Sequence, residues 1–312
     1  MTTRARRVLV VGPTYADLVF GGLERLPVWG EEVFASSFRV TAGGSAITAI
    51  ALARLGHRVA LVADLGDDVL GAAVRRVLDE EGIDATFASG RAGATTPVTA
   101  VMSGARDRAF ATYLGAGRAA SDLAAALRTT DAEHVHVAGF PAVLADPDVV
   151  ASARAAGAQV SFDPGWDERA LGDARVRAVA RAVDVLLPNR MEAARLVATA
   201  PGAAADDASA EALLGRLAAE RATGVTVVKD GAAGAWACGP DGAAQHVAAP
   251  VVDAVDPTGA GDVFDAGFLD AWWAGLPLDA CLARGAWCGA RATTAYGGAT
   301  AAPTRAELEE RA

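Results

Sequence analysis

The segment Asp256-Pro-Thr-Gly-Ala-Gly-Asp262, running on through Val263-Phe264 into a helical stretch that reaches Trp273, holds the residues best suited to chemistry. Pro257, Gly259 and Gly261 force a tight turn, and the turn opens into a helix. Small residues let the N–H groups around Gly259, Ala260 and Gly261 converge at the helix N-terminus, a ready site for an anion such as a migrating phosphoryl group. Asp262 falls in the first helical turn, where the helix dipole favours an ionised carboxylate. Such a carboxylate can take the proton of an attacking hydroxyl while the amides stabilise charge on phosphoryl oxygens. The same residues also read as a Gly-rich turn with an acidic capping residue and nothing more, since such turns are common before helices.

The surrounding pattern alternates short β-branched runs with Ala/Leu/Arg stretches of helical period. Strands are predicted at Val8–Val11, Arg58–Ala63, Val135–Ala138, Gln159–Asp163, Val183–Leu187 and Val225–Lys229. Helices are predicted at Ser45–Leu55, closed by Gly56, at Asp67–Glu81, stopped by Gly82, and at Ala208–Glu220 after an Ala-rich surface loop, Pro201–Asp207. Near-continuous apolar strands separated by helices are what a parallel sheet covered on both faces produces. The expected fold is α/β, a doubly wound and mostly parallel sheet. Residues 13–40 and 92–118 break that rhythm with shorter alternating runs such as Val98–Val101 and Phe110–Tyr113, and read as antiparallel strands of a small β lid. The core is then 1–12, 41–91 and 119–312, with the lid over the sheet's carboxyl edge, where open α/β sheets bind ligands.

Bulk properties narrow the class. In 312 residues, 52% are hydrophobic and 21% charged, which suits a globular enzyme rather than a disordered chain. A formal net charge of −10 argues against a nucleic-acid partner. Cys238, Cys281 and Cys288 show no metal or redox spacing and read as reduced core residues. No apolar run reaches membrane-spanning length, and Arg4, Arg6 and Arg7 precede only a five-residue apolar stretch, so no membrane role and a cytoplasmic location are expected. His134 and His136 share a strand face but lack a third ligand, and Trp272 and Trp273 read as packing residues. No G-x-x-x-x-G-K run followed by Ser or Thr exists, and Gly12-Pro-Thr-Tyr-Ala-Asp17 lacks the glycines of a dinucleotide turn.

From Asp256 to Phe264 the chain resembles the ribokinase or phosphofructokinase-B (PfkB) carbohydrate kinase family, whose C-terminal signature is Asp, then Thr or Pro, then Thr-Gly-Ala-Gly-Asp, any residue, and Phe. The resemblance continues in order along the chain: Gly12 to Asp17, Gly43-Gly44 with Ala51–Gly56, Gly66-Asp67-Asp68 with Gly71, Asp163-Pro164, Asn189 with Glu192, and Lys229 with Gly231 and Gly234. It implies a ribokinase-like fold and ATP-Mg²⁺-dependent transfer to a primary alcohol, with Asp262 as base and the 259–261 amides as anion hole. It further implies that Asn189 and Glu192 act near Mg²⁺ through water, that Lys229, Gly231, Gly234 and Gly298 lie on the nucleotide side, and that Asp17, Gly43 and Gly44 line the sugar side. Asn189 and Glu192 alone also read as a helix N-cap with its reciprocal partner, Lys229 as a surface lysine, and Asp17 as a local turn residue. Asp256 and Thr258 match positions that hold a monovalent cation in some relatives, so K⁺ is an open expectation, although the family's later Ser falls near Ala301. Homodimerisation through the lid follows from the same resemblance.

Three positions depart from ribose-specific relatives. Tyr15, Ile47 and Phe140 stand where polar hydroxyl-binding residues occur in those proteins. Each unpaired sugar hydroxyl costs about 1–3 kcal/mol, so ribose itself is disfavoured. An aromatic pocket suits a less hydroxylated sugar derivative or a nucleoside whose base stacks on Tyr15 or Phe140, unless these side chains point into the core. Three functions stand: a sugar kinase first, a nucleoside kinase of the same fold second, and a catalytically silent sensor third.

Overall fold

The computed structural model describes residues 4–88, 90, 93–104, 108–115, 122–198 and 208–311. Its strands are β1 (Arg7–Val11), β2 (Thr14–Leu23), β3 (Ser37–Gly44), β4 (Arg58–Val62), β5 (Val98–Gly104), β6 (Arg108–Tyr113), β7 (His134–Ala138), β8 (Gln159–Asp163), β9 (Val185–Leu186), β10 (Val225–Lys229), β11 (Ala235–Cys238) and β12 (Ala244–Val247). Eight of them form one sheet in the order β12-β11-β10-β9-β8-β7-β1-β4. Pairing is parallel from β4 to β10, and β11 and β12 close the far edge antiparallel.

The apolar runs work as the sequence pattern implies. Along β1, Val8 and Val10 belong to the core under the Ser45–Arg54, Ala260–Trp273 and Leu278–Ala292 helices. Leu9 and Val11 belong to a second core on the other face. Both faces are dry, which is why the strand shows no polar alternation. The first of these helices begins at Ser45 and ends before Gly56, whose φ of 86° halts it where expected. The Val69–Glu80 helix starts two residues later than predicted, because Asp68 serves as its N-cap and accepts the Gly71 amide at 2.8 Å.

The lid sheet has the order β3-β2-β5-β6. The expectation of antiparallel pairing throughout is corrected at its centre: β2 pairs with β5 in parallel, from Ala16 opposite Val98 to Phe20 opposite Met102. More than fifty residues separate these strands, enough for the crossover that parallel pairing requires. The strand also outlasts the expected boundary at residue 40, since β3 pairs with β2 as far as Gly44 opposite Thr14. The β11–β12 hairpin was not foreseen, because two four-residue strands carry too little periodicity to register. The Pro201–Asp207 loop lies outside the described residues. His134 and His136 share the Ser161 hydroxyl at 2.7 and 2.8 Å, and the indole N–H of Trp273 donates to His134, so these residues pack the sheet against its helix. Among the described residues no helix is long and apolar enough to cross a membrane.

Candidate active site

The Ala260–Trp273 helix begins at the carboxyl end of the main sheet, and its N-cap, Gly259, has a φ of 73°. A Cβ on Gly259 would fall 2.7–2.9 Å from the backbone of Gly298, so only glycine fits both the conformation and the contact. Asp256 braces the turn from beneath. One oxygen of its buried carboxylate accepts the amide and hydroxyl of Thr258, and the other accepts the Gly297 amide at 3.0 Å. The Ala260 amide makes only a long bond, 3.3 Å, to the Pro257 carbonyl. Among the described residues no protein acceptor takes the amides of Gly259 and Gly261. These N–H groups are held in place and left available to an anion.

Asp262 is the third residue of that helix and receives the Thr48 hydroxyl at 3.3 Å. The helix dipole was expected to keep it ionised, but burial outweighs the dipole. Desolvation first, then the Asp163 carboxylate, push its pKa up to about 7, against opposing pulls from Lys229 and Thr48. The group is therefore poised near neutrality, where a base both exists in quantity and accepts a proton readily.

Asp17, on β2, lies on the lid face turned to this turn. Burial, then the Asp262 and Asp256 carboxylates, raise its pKa to about 7. Its carboxylate rests on Gly43, where a Cβ would come within 2.2 Å of it. Among the described residues it receives no protein hydrogen bond, so its acceptor oxygens are open to ligand hydroxyls. Tyr15 packs its ring on Gly44, and burial and Asp17 push its hydroxyl up to about 12. Tyr15 and Phe140 line one cavity of about 420 Å³, together with Asp64, Leu114, Pro141 and Arg175. The two aromatic departures thus face a pocket next to the Asp17 end of the cleft.

Other expected site residues are placed differently. Ile47 is core, 3% exposed, with its side chain against Gly298, where a Cβ would meet its Cδ1 at 2.4 Å. It packs behind the turn as part of the core. Gly298 is likewise wedged between Ile47 and Gly259, where its missing side chain lets the turn pack closely. Lys229 is buried, which corrects the surface-lysine reading. Its ammonium binds Asp163 at 2.9 Å and Asp265 at 3.0 Å, and two close carboxylates raise its pKa despite burial. Gly231 lies exposed just past β10, whereas Gly234 is buried against the Val247 carbonyl and serves the edge hairpin.

Asn189 and Glu192 form the reciprocal cap at the Arg190–Val197 helix: the Asn189 side chain accepts the Glu192 amide at 3.0 Å, and Glu192 accepts the Asn189 backbone and side-chain N–H groups at 2.8 and 2.7 Å. Burial, then Asp163, raise Glu192 to about 8. Each Glu192 oxygen and the Asn189 carbonyl oxygen accepts one hydrogen bond and keeps a lone pair, and among the described residues no three carboxylate, His or Cys side chains cluster as a metal cage. The donor set suits a cation held through water, because Asp163, Glu192, Asp262 and Asp265 share the single ammonium of Lys229, and the raised pKa values of the last three mark a shortage of positive charge that a cation would supply. Beside Asp256 and Thr258, the Thr258 hydroxyl donates to Asp256, and Arg54 already takes the Ala299, Thr300 and Ala302 carbonyls at 2.8–3.2 Å.

Thr48 and Asp265 were missed from the site. Asp265 follows Asp262 by three residues on one helix, a spacing that could have flagged it. Thr48 could not have been found, because it meets Asp262 only through the fold, 214 residues away.

Comparison with known proteins accords with this geometry. The ATP-dependent ribose-1-phosphate kinase of Halopiger xanaduensis is 32% identical over 308 residues, covering 96% of this chain and 95% of that protein. The fructokinase of Escherichia coli is 32% identical over 291 residues, covering 86% and 90%. The crystal structure of a PfkB protein from Polaromonas sp. superposes with a TM-score of 0.75 at 26% identity, covering 99% and 100%. The model of the pfkB family of carbohydrate kinases matches residues 5–305, and the chain belongs to that family.

Proposed function

We propose that this kinase transfers the γ-phosphoryl group of ATP to a hydroxyl, of primary type, on a small sugar or sugar derivative, with Asp262 as the base. The observation that carries the reading is the pairing of Asp262, poised near neutrality beside open turn amides, with Asp17, whose unengaged carboxylate feels the Asp262 charge across the cleft. Asp17 accepts hydrogen bonds from substrate hydroxyls and orients the acceptor. Asp262 takes the proton as the oxygen attacks phosphorus, and the Gly259 and Gly261 amides meet the charge on the transferring group. Positioning of this kind supplies most of what phosphoryl transfer needs. Mg²⁺, when bound, would neutralise charge on the phosphate oxygens, and Asn189 and Glu192 are the residues that would hold it, through water.

The cavity beside Tyr15 and Phe140 favours a second reading, a nucleoside whose flat base stacks there. A panel of sugars, sugar phosphates and nucleosides, scored for ADP release, separates the two. Turnover confined to nucleosides overturns the sugar reading, and no turnover with any of them overturns both.

The lid supplies a dimer contact in this proposal. Phe20 opposes Phe38 and Leu18 opposes Val40 across β2 and β3, so all four share the face opposite Asp17. Phe38 is 59% exposed, and the aromatic rings of Phe20 and Phe38 stand 5.1 Å apart with apolar surface left uncovered. A sheet face of this kind gains by burial against a second copy.

A further inference from the structure

Three elements meet under the phosphate-binding turn. Lys229 ends β10, Asp163 ends β8, and Asp265 lies one turn into the Ala260–Trp273 helix. The Lys229 ammonium contacts Asp163 at 2.9 Å and both Asp265 oxygens at 3.0 and 3.2 Å, and Asp265 is fully buried. A Cβ built on Gly261 would stand 3.4 Å from that ammonium, which therefore lies directly behind the anion-binding amides.

We propose that Lys229 is a positioning residue: by pinning Asp265 to the sheet it fixes the first helical turn, and so sets where the Gly261 amide and the Asp262 carboxylate stand. The position looks open to nucleotide in the sequence, but the ammonium has three protons and the two carboxylates hold it within the protein. A helix turn is stiff, so a shift at Asp265 is passed to Asp262 three residues before it. The ion pair is desolvated, and removing one partner leaves the others unbalanced. The inference rests on the proposed role of the turn, but not on the identity of the sugar.

The test is steady-state kinetics of Lys229→Met and Asp265→Asn beside thermal melts. Displacing a reacting group by about 1 Å costs about 10²-fold, so Lys229→Met is expected to lower kcat by about that factor, with KM for ATP changed less than about threefold. Asp265→Asn, which keeps Lys229 paired with Asp163, is expected to lower kcat about tenfold with the same unchanged KM. A KM for ATP raised about tenfold with kcat kept in Lys229→Met would mark a nucleotide ligand and overturn the proposal. Variants that both keep kcat within about twofold would overturn it equally. Where Lys229→Met does not fold, the Asp265→Asn kinetics decide alone. Asp262→Asn tests the base separately: activity retained there removes the base, while the Lys229 and Asp265 results still report on anchoring of the amides.

Discussion

Asp262→Asn keeps the shape of the side chain and removes its capacity to take a proton. Burial and the Asp163 carboxylate set the wild-type group at about 7. The ionised fraction is then about 0.1 at pH 6 and about 0.9 at pH 8, so kcat/KM, which reports the free enzyme, rises about tenfold across that interval. The sign follows from the active form being the carboxylate: activity falls as pH falls through 7. The Asn variant should lose about 10²–10⁴-fold, the usual contribution of a positioned base, and should keep only the inflection that Asp17 contributes, which the wild-type to variant ratio removes. The groups around Asp262 are Asp163 on β8, Glu192 beyond β9, Asp17 on the lid and Lys229 on β10. All of them remain in the variant. Initial rates of ADP release from pH 5.5 to 8.5, taken as the wild-type to variant ratio, cancel the titration of ATP. A variant within about tenfold of wild type, or a ratio flat between pH 6 and 8, refutes the assignment.

Three further outcomes follow from the structure. Asp17→Ala should raise KM for the sugar about 10- to 100-fold with KM for ATP unchanged, because hydrogen bonds to a charged acceptor contribute about 1.5–3 kcal/mol each; equal effects on both substrates would remove Asp17 from the sugar side. Phe38→Glu should convert a dimer to a monomer in light scattering at micromolar concentration, and a wild-type mass of one chain would reject the lid contact. Asp270 is held down to about 2 by His57, Arg305 and Arg284 despite burial, so its contribution is present above about pH 4 and lost as pH falls from about 4 to about 2. Urea unfolding should therefore show Asp270→Asn less stable by at least about 2 kcal/mol at pH 7, with the gap closing below pH 4; a gap independent of pH would deny the linkage.

Legibility tracked distance along the chain. The Asp256–Asp262 turn, the Gly-capped helices and the Asn189/Glu192 cap were readable because their partners lie within a few residues, where φ constraints and caps act. The short edge hairpin and the parallel β2–β5 junction were not, because pairing depends on which strands the crossover brings together. Ile47 and Lys229 show the same divide: each sits at a position that reads as ligand-facing, yet one packs on Gly298 and the other binds two carboxylates from β8 and the Ala260–Trp273 helix.

By itself the order of residues determined the alternation of strands and helices and the Gly-rich turn that opens the Ala260–Trp273 helix with Asp262 in its first turn, since backbone geometry and hydrophobic period are local properties. Only the tertiary structure decided the state and surroundings of that acid. Burial, then Asp163, raise it to about 7, and desolvation and charge–charge coupling depend on neighbours such as Asp163, which the chain brings from 99 residues away.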